Sequence, residues 1–284
     1  MPPKAASGDI LGRFREIVSD PINLLIERVP QAGFVKDKLV CLHNGNRVHY
    51  SGHDAYYQEF SDILVINRGV HEPVEEFAFQ ECLKVLPPCP SMLELGAYWA
   101  HYSMWLKKIR PNATVTMVES DPANLSVGLS NFKLNGYQGQ FTPAFVGKGH
   151  FEVDAFLESR NSKHLEILHS DIQGFEVEML DGAARSLAQT RIDYAFISTH
   201  SQELHYAVAE RLKSFGYRIE VSSDFDFETL SYDGLVFASS PSVARIFGEY
   251  GPLGRCEILG LAPSKLVKRL HHLVLQSSDP PRAE

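Results

Sequence analysis

The sequence predicts an α/β protein: a doubly wound, mostly parallel sheet of seven strands with helices on both faces, preceded by an N-terminal cap. Three observations carry this. From residue 91 onward, short apolar runs alternate with helical segments, the pattern of a sheet buried under helices on both faces. The first run ends in Glu94-Leu95-Gly96-Ala97, and the next, Val115-Thr116-Met117-Val118, ends in Glu119. The second acid lies roughly 25 residues after the first, near the ~20 at which a doubly wound sheet places an acid to grip ribose hydroxyls. The last two strand segments lie close together without a helical run between them, as an antiparallel hairpin requires.

Taken in order, residues up to about Ser7 read as disordered. Ile10, Leu11, Phe14 and Ile17 recur at helical spacing, and Pro21 opens a second short helix. Segments 39–43 and 47–50 flank Asn44-Gly45, a favoured pair for a tight hairpin turn. A helical segment is expected near 56–64. Nothing in 1–66 resembles a parallel-sheet unit, so this portion is assigned to a cap. His71-Glu72-Pro73 starts the next helix, with proline where the missing N–H costs nothing, and Pro87-Pro88 stops it. Strands are expected at 91–95, 114–119, 140–146, 165–170, 193–199, 217–221 and 234–238. Helices are expected at 102–109, 122–135, 153–159, 174–188 and 201–215. The core is therefore 67–240. The remainder, 241–284, is an extension with a basic amphipathic helix near 264–276 and a polar tail.

A chain of 284 residues can bury one good-sized core. Its net charge of -8 argues against a nucleic-acid groove, which needs a clustered basic excess. Cys41, Cys82, Cys89 and Cys256 show no paired metal spacing and read as reduced thiols. No stretch approaches the ~18 apolar residues of a membrane span, and the N-terminus lacks a signal-peptide core. A cytoplasmic location is expected.

The first turn argues against a dinucleotide. A pyrophosphate needs several glycines so that backbone N–H groups can approach it. Here the turn runs on as Tyr98-Trp99-Ala100-His101-Tyr102, with one glycine and bulky rings, and two phosphates would also meet Glu94. A cationic nucleoside without phosphate fits better, and S-adenosylmethionine (SAM) is such a cofactor. Its pocket is expected from Glu94, Gly96, Ala97, Tyr98, Glu119, Ser120 and Asp171. Glu119 would accept from the ribose diol, Glu94 would hold the turn and offset the cofactor's positive charge, and Tyr98 would lie against it. Methylating an alcohol requires an in-line approach and help in removing its proton. His200, Asp171 and His169 fall at neighbouring strand ends, with His200 as the expected base and Asp171 as its partner or a substrate ligand. His200, Asp171 and His205 would be the ligands of a divalent ion, though their spacing is no recognised signature, and no metal is assigned. His71 and Glu72 read as a helix cap.

The runs Leu93-Glu94-Leu95-Gly96-Ala97, Val118-Glu119-Ser120-Asp121-Pro122 and Asn131-Phe132-Lys133-Leu134-Asn135-Gly136 resemble the FkbM-type methyltransferases. The most specific match is Asp171-Ile172-Gln173-Gly174-Phe175-Glu176-Val177-Glu178-Met179-Leu180-Asp181-Gly182-Ala183, which is similar to that family's Asp-Val-Glu-Gly-x-Glu-x-x-Val-Leu-x-Gly-Ala signature. The resemblance covers roughly 67–239. It implies a Rossmann-like, seven-stranded class I methyltransferase sheet and SAM-dependent O-methylation of a sugar, glycan or secondary-metabolite hydroxyl. The chain departs from the family at Tyr98 and Ala100, where asparagine and glycine are usual, at Gln173, where an acid is usual, and at His169-Ser170, where a lysine often precedes the signature. Those departures keep a second class of reading open, a methyltransferase-like binding or scaffold protein without turnover. A nicotinamide-dependent oxidoreductase is disfavoured by the missing glycines. The helix near 264 leaves three roles open: packing on the core, pairing subunits as a homodimer, or touching a membrane surface.

Overall fold

The computed structural model describes residues 9–56, 61–160, 163–247 and 251–278. The segment before Ser7, the middle of the helix expected near 56–64, and the polar tail from 279 lie outside the described residues. The N-terminal region comprises helix α1 (Ile10–Ser19), a 3-10 turn (Pro21–Leu24), and an antiparallel sheet of β1 (Val35–Lys36), β2 (Leu39–Cys41) and β3 (Arg47–His49), followed by α2 (Ser61–Ile66). Asp9 and Asp20 start the two helical segments by accepting from Gly12 N and Ile22 N, each at 2.9 Å.

After α3 (Pro73–Val85), strands and helices alternate: β4 (Ser91–Leu95), α4 (His101–Ile109), β5 (Thr114–Glu119), α5 (Pro122–Asn135), β6 (Gln140–Pro143), α6 (Val153–Glu158) and β7 (Leu165–Ser170). Then come α7 (Glu176–Asp181), α8 (Ala184–Ala188), β8 (Ile192–Thr199), α9 (Gln202–Ser214), β9 (Arg218–Ser223) and β10 (Gly234–Ser239), with α10 (Arg255–Gly260) and α11 (Pro263–Ser278) at the end. The sheet order is β6-β5-β4-β7-β8-β10-β9, and β10 runs antiparallel to both of its neighbours. This is the seven-stranded class I methyltransferase arrangement. The strand order reverses between β4 and β7, the place where open α/β sheets bind ligands beyond their carboxyl ends.

Alternation along the strands divides the core in two. Met92, Ile167, Phe196 and Phe237 face one side, where they join Phe14, Ile22, Val40 and Leu42 of the N-terminal region. Leu93, Leu168, Ile197 and Val236 face the other. The first cluster runs without a break from the N-terminal elements into the main sheet, so that region is packed onto the core.

The structure departs from the expected elements in three places. The helix expected at 174–188 is broken into α7 and α8, because Asp154 of α6 caps the second piece, accepting from Ser186 N at 2.8 Å and Arg185 N at 3.0 Å. Gly182 and Ala183, between the two pieces, give the chain room to turn. The strand expected at 140–146 stops at Pro143, which has no N–H to continue a ladder. The hairpin around Asn44-Gly45 has a five-residue loop, since β2 and β3 pair only as far as Cys41 and Arg47. Leu42 and His43 leave the ladder and turn inward, and both are buried.

Where β4 and β7 end, two turns cross closely. A Cβ on Gly96 (φ +70°) would stand 1.7 Å from the Asp171 carbonyl oxygen. Gly96→Ala should therefore cost more than about 4 kcal/mol in denaturant unfolding. An unchanged midpoint would show that the two turns can separate freely.

Candidate active site

A cavity of about 540 Å³ opens over the carboxyl ends of the central strands. Glu94, Gly96, Ala97, Tyr98, Glu119, Ser120 and Asp171 all line it, as does His169. The turn after β4 is held by N–H bonds from Gly96 (2.8 Å) and Ala97 (3.1 Å) to the Val118 carbonyl, while Asp171 N donates to Leu95 O at 2.9 Å. Tyr98 and Ala100 sit at φ 38° and 58°, left-handed positions where side chains are strained, and Gln173 at φ 55° does the same in the turn after β7.

Glu119 closes β5 and accepts from Tyr98 N at 3.2 Å and Asp121 N at 2.9 Å. Its Oε1 also accepts from the Ser120 hydroxyl at 3.4 Å, while Oε2 has a further lone pair to offer the cavity. Glu94 is buried and accepts from Ser103 N at 3.1 Å, and burial raises its pKa above the ordinary carboxylate value. On the parallel neighbour, His169 stands in register with Glu94.

A second row of acids comes from the start of α3, which sequence reading had treated as a cap. Glu75 receives His169 Nε2 at 2.7 Å and the Ser198 hydroxyl at 3.2 Å. Burial works to lower the His169 pKa, and Glu75 more than offsets it, so the ring's pKa lies above its ordinary value. The bond at Nε2 thus comes from a side chain, and Nδ1 is buried without a hydrogen-bond partner among the described residues. Glu72 receives the Tyr102 hydroxyl at 3.2 Å, and His71 Nε2 lies 3.3 Å from the same carboxylate. His71, Glu72 and Tyr102 all line the cavity.

His200 does not line the cavity; it stands behind it in a cage of carboxylates. Its Nε2 is 3.0 Å from Asp171 Oδ1 and 3.5 Å from Asp233 Oδ1, and its Nδ1 is 3.1 Å from Glu176 Oε1. Burial pulls its pKa down, but Asp171, Glu176 and Asp233 together raise it to about 11. A ring that keeps its proton at neutral pH orients Asp171 and cannot take a proton from an alcohol, which does not suit the base expected at this position. Glu176 also accepts from Gly174 N at 3.1 Å, so one carboxylate fixes both the turn and the ring. His205 is remote from this cage: its nitrogens pair with Thr199 Oγ1 at 3.0 Å and Ser222 Oγ at 2.9 Å. Asp233 takes the place expected for His205, and Asp171, His200 and Asp233 bring ligand atoms within 4.8 Å of one another, as a divalent ion replacing the proton would need.

Sequence reading missed Glu75, Glu76, Tyr102, His101, Tyr232 and Asp233. The available signals were three acids in the first turns of α3, out of place for a helix otherwise apolar at its buried positions, and Tyr232-Asp233 immediately before β10.

With this geometry in view, residues 148–219 match the methyltransferase FkbM domain. The matched span holds Asp171, Gly174, Glu176 and His200 within a sheet of class I methyltransferase order. The match and the sheet order together support a SAM-dependent methyltransferase function. No curated protein matches this chain. Among solved structures, the chain is similar to precorrin-6y C5,15-methyltransferase from Geobacter metallireducens at 17% identity, covering 59% of this chain and 88% of that one with a TM-score of 0.45. It is also similar to M. capricolum TrmK in complex with S-adenosyl-homocysteine (14% identity, 72% and 88% covered, TM-score 0.41) and to a methyltransferase from Pyrococcus furiosus (16%, 59% and 83%, TM-score 0.41). No helix among the described residues is long and apolar enough to cross a membrane.

The His200 cage makes the protein's stability depend on pH. The ring is protonated up to about pH 11 when folded, against an ordinary value of 6.5. Its contribution is thus full below the ordinary value and is lost as pH rises through the folded one. His200→Gln should flatten the fall of Tm between about pH 7 and 10 relative to the parent protein. His71, raised to about 10 by Glu76 and Glu72 against the effect of burial, adds the same slope to both proteins. Parallel curves for parent and variant would show that the His200 ring is not held charged.

Proposed function

We propose that the enzyme transfers the SAM methyl group to a hydroxyl of a sugar, glycan or secondary-metabolite alcohol. The observation that carries this reading is the composition of the cavity wall. Glu72, Glu94, Glu119, Asp121, Asp171 and Asp233 line it beside aromatic rings, and no lysine or arginine does. Such a wall suits a cationic cofactor without phosphate and a neutral acceptor rich in hydroxyls. It disfavours a dinucleotide and nucleic acid alike.

In this reading Glu119 accepts from the ribose diol, and Ser120 and Tyr98 border the nucleoside. Glu94, reached through the Gly96-Ala97 turn, offsets the positive charge of the cofactor. Ala144, Phe145 and Val146 supply an apolar wall for the purine. The acceptor enters from the side of Tyr56, Glu72, Tyr102, Tyr232 and Asp233, where aromatic faces and carboxylates suit a polyhydroxylated ring. Tyr56 brings the N-terminal cap, 1–66, to that end of the cavity. Asp171 is the base: SAM, when bound, would supply the methyl group, and the Asp171 carboxylate would take the proton that the acceptor hydroxyl gives up. His200 and Gln173 position that carboxylate, with Gln173 Nε2 donating to Asp171 Oδ1 at 3.1 Å. His169, through Glu75, supports the floor of the site.

Calorimetric titration with SAM, its demethylated product and NAD tests the cofactor. Binding of SAM and product, with none of NAD, is expected. Glu119→Ala should weaken SAM binding roughly 10²- to 10⁴-fold, the equivalent of two hydrogen bonds to a charged group. Asp171→Asn should leave SAM affinity within a few fold and lower kcat by about 10²–10⁴ on whichever alcohol an acceptor screen identifies. Full turnover of Asp171→Asn would remove it as the base. A protein that binds SAM yet methylates no hydroxylated acceptor would favour the scaffold reading.

A further inference from the structure

Beside the cavity, and separate from the Asp171 cage, lies a second cluster that the methyl-transfer reading does not use. His43 comes from the loop after β2, Glu76 from α3 and His101 from the first position of α4, and all three are buried, at 1%, 0% and 1% exposure. His43 Nε2 lies 2.8 Å from Glu76 Oε2, yet neither atom has a partner in hydrogen-bonding geometry. Both ring nitrogens of His101 are likewise buried without a partner. One ligand atom from each of the three residues falls within 4.8 Å of the other two. Orphaned polar atoms in a dry interior are costly, and native proteins pair them or give them to an ion.

We propose that His43, Glu76 and His101 form a buried binding site for a divalent transition metal of the zinc class, which ties the N-terminal cap to the methyltransferase core. Two imidazole nitrogens and one carboxylate oxygen are a borderline donor set, suited to zinc and poorly suited to magnesium or calcium. The support around the ligands matches that role. The other Glu76 oxygen accepts from His71 N at 2.8 Å and Glu72 N at 3.1 Å, which fixes the carboxylate's orientation. Trp105 lies edge-on to His43 at 4.3 Å between centroids, and Trp99 stacks on His101 at 4.8 Å. These rings exclude water and lock both imidazoles. Binding closes the three ligand atoms from their present spacing onto one centre at bond lengths of about 2.0–2.2 Å, and any proton between His43 and Glu76 leaves to solvent. His101 lines the SAM cavity, so the ion would also stiffen that wall.

The test uses the full chain without an affinity tag. After exposure to zinc and gel filtration, metal analysis should find about one zinc per chain, and cobalt in its place should show the intense visible bands of a tetrahedral site. Chelation should lower Tm by roughly 5–10 °C and zinc should restore it. His101→Phe removes a ligand and both orphan nitrogens together, so it should fold and lose the metal and the cobalt bands. Asp233→Asn, in the other cluster, should keep both. A parent protein that retains no metal and shows no Tm response to zinc overturns the proposal. So does retention of the metal by His101→Phe, or its loss in Asp233→Asn.

Discussion

The contact on which the rest depends is the crossing of two turns at the carboxyl edge of the sheet. The turn after β4 passes so near the turn after β7 that only hydrogen fits on the Gly96 Cα against the Asp171 carbonyl. Because the turns touch, three strand ends are stitched together: β5 accepts from Gly96 and Ala97, and β4 accepts from Asp171 N. Glu94, Glu119 and Asp171, each from a different strand, then face one cavity. The same crowding explains Gly128. A side chain there would meet the Tyr98 carbonyl at 2.7 Å and the Ala100 methyl at 3.3 Å, so its absence lets α5 approach the turn. Left-handed backbone at Tyr98 and Ala100 costs on the order of 1–2 kcal/mol each, and it persists because these neighbours dictate the path.

Around this frame the charges are arranged with economy. α3 delivers Glu72, Glu75 and Glu76 at its start, where the helix dipole favours negative charge, and the neighbouring elements meet them with imidazoles and hydroxyls. His71 and His43 face Glu76, His169 faces Glu75, and Tyr102 reaches Glu72. In a low-dielectric interior such pairs are strong only when geometry is fixed, and here they join α3, α4, β7 and the N-terminal loop across one interface. The His200 cage repeats the device on the other side of the cavity. In both places histidine meets the acids, and among the described residues no lysine or arginine of the kind a phosphate would need lines the cavity.

Much of the fold was legible in the sequence because its signals are local. The bounds of β4, β5, β7 and α5 follow from apolar runs, from Pro122 at a helix start and from Gly136 beyond its end, all within a few residues of the element concerned. The acids at strand ends were legible for the same reason, since a strand's last residue projects toward the ligand edge whatever else surrounds it. What sequence reading lost was anything made by distant pairs. Glu75 meets His169 across 94 residues, and nothing near either one announces the other. Charged side chains early in a helix ordinarily face water, and only the packing of α3 against α4 and the sheet buries Glu75 and Glu76.

The sequence by itself determined which segments become strands, the strand ends that carry acids, and a first turn poor in the glycines a pyrophosphate needs. These rest on periodicity, chirality and turn chemistry, which act over a few bonds. Only the tertiary structure decided the protonation of His200, the exchange of Asp233 for His205 beside Asp171, and the convergence of His43 and His101 on Glu76. Those outcomes depend on burial and on the few ångströms between groups far apart in the chain, and both exist only once the core has closed.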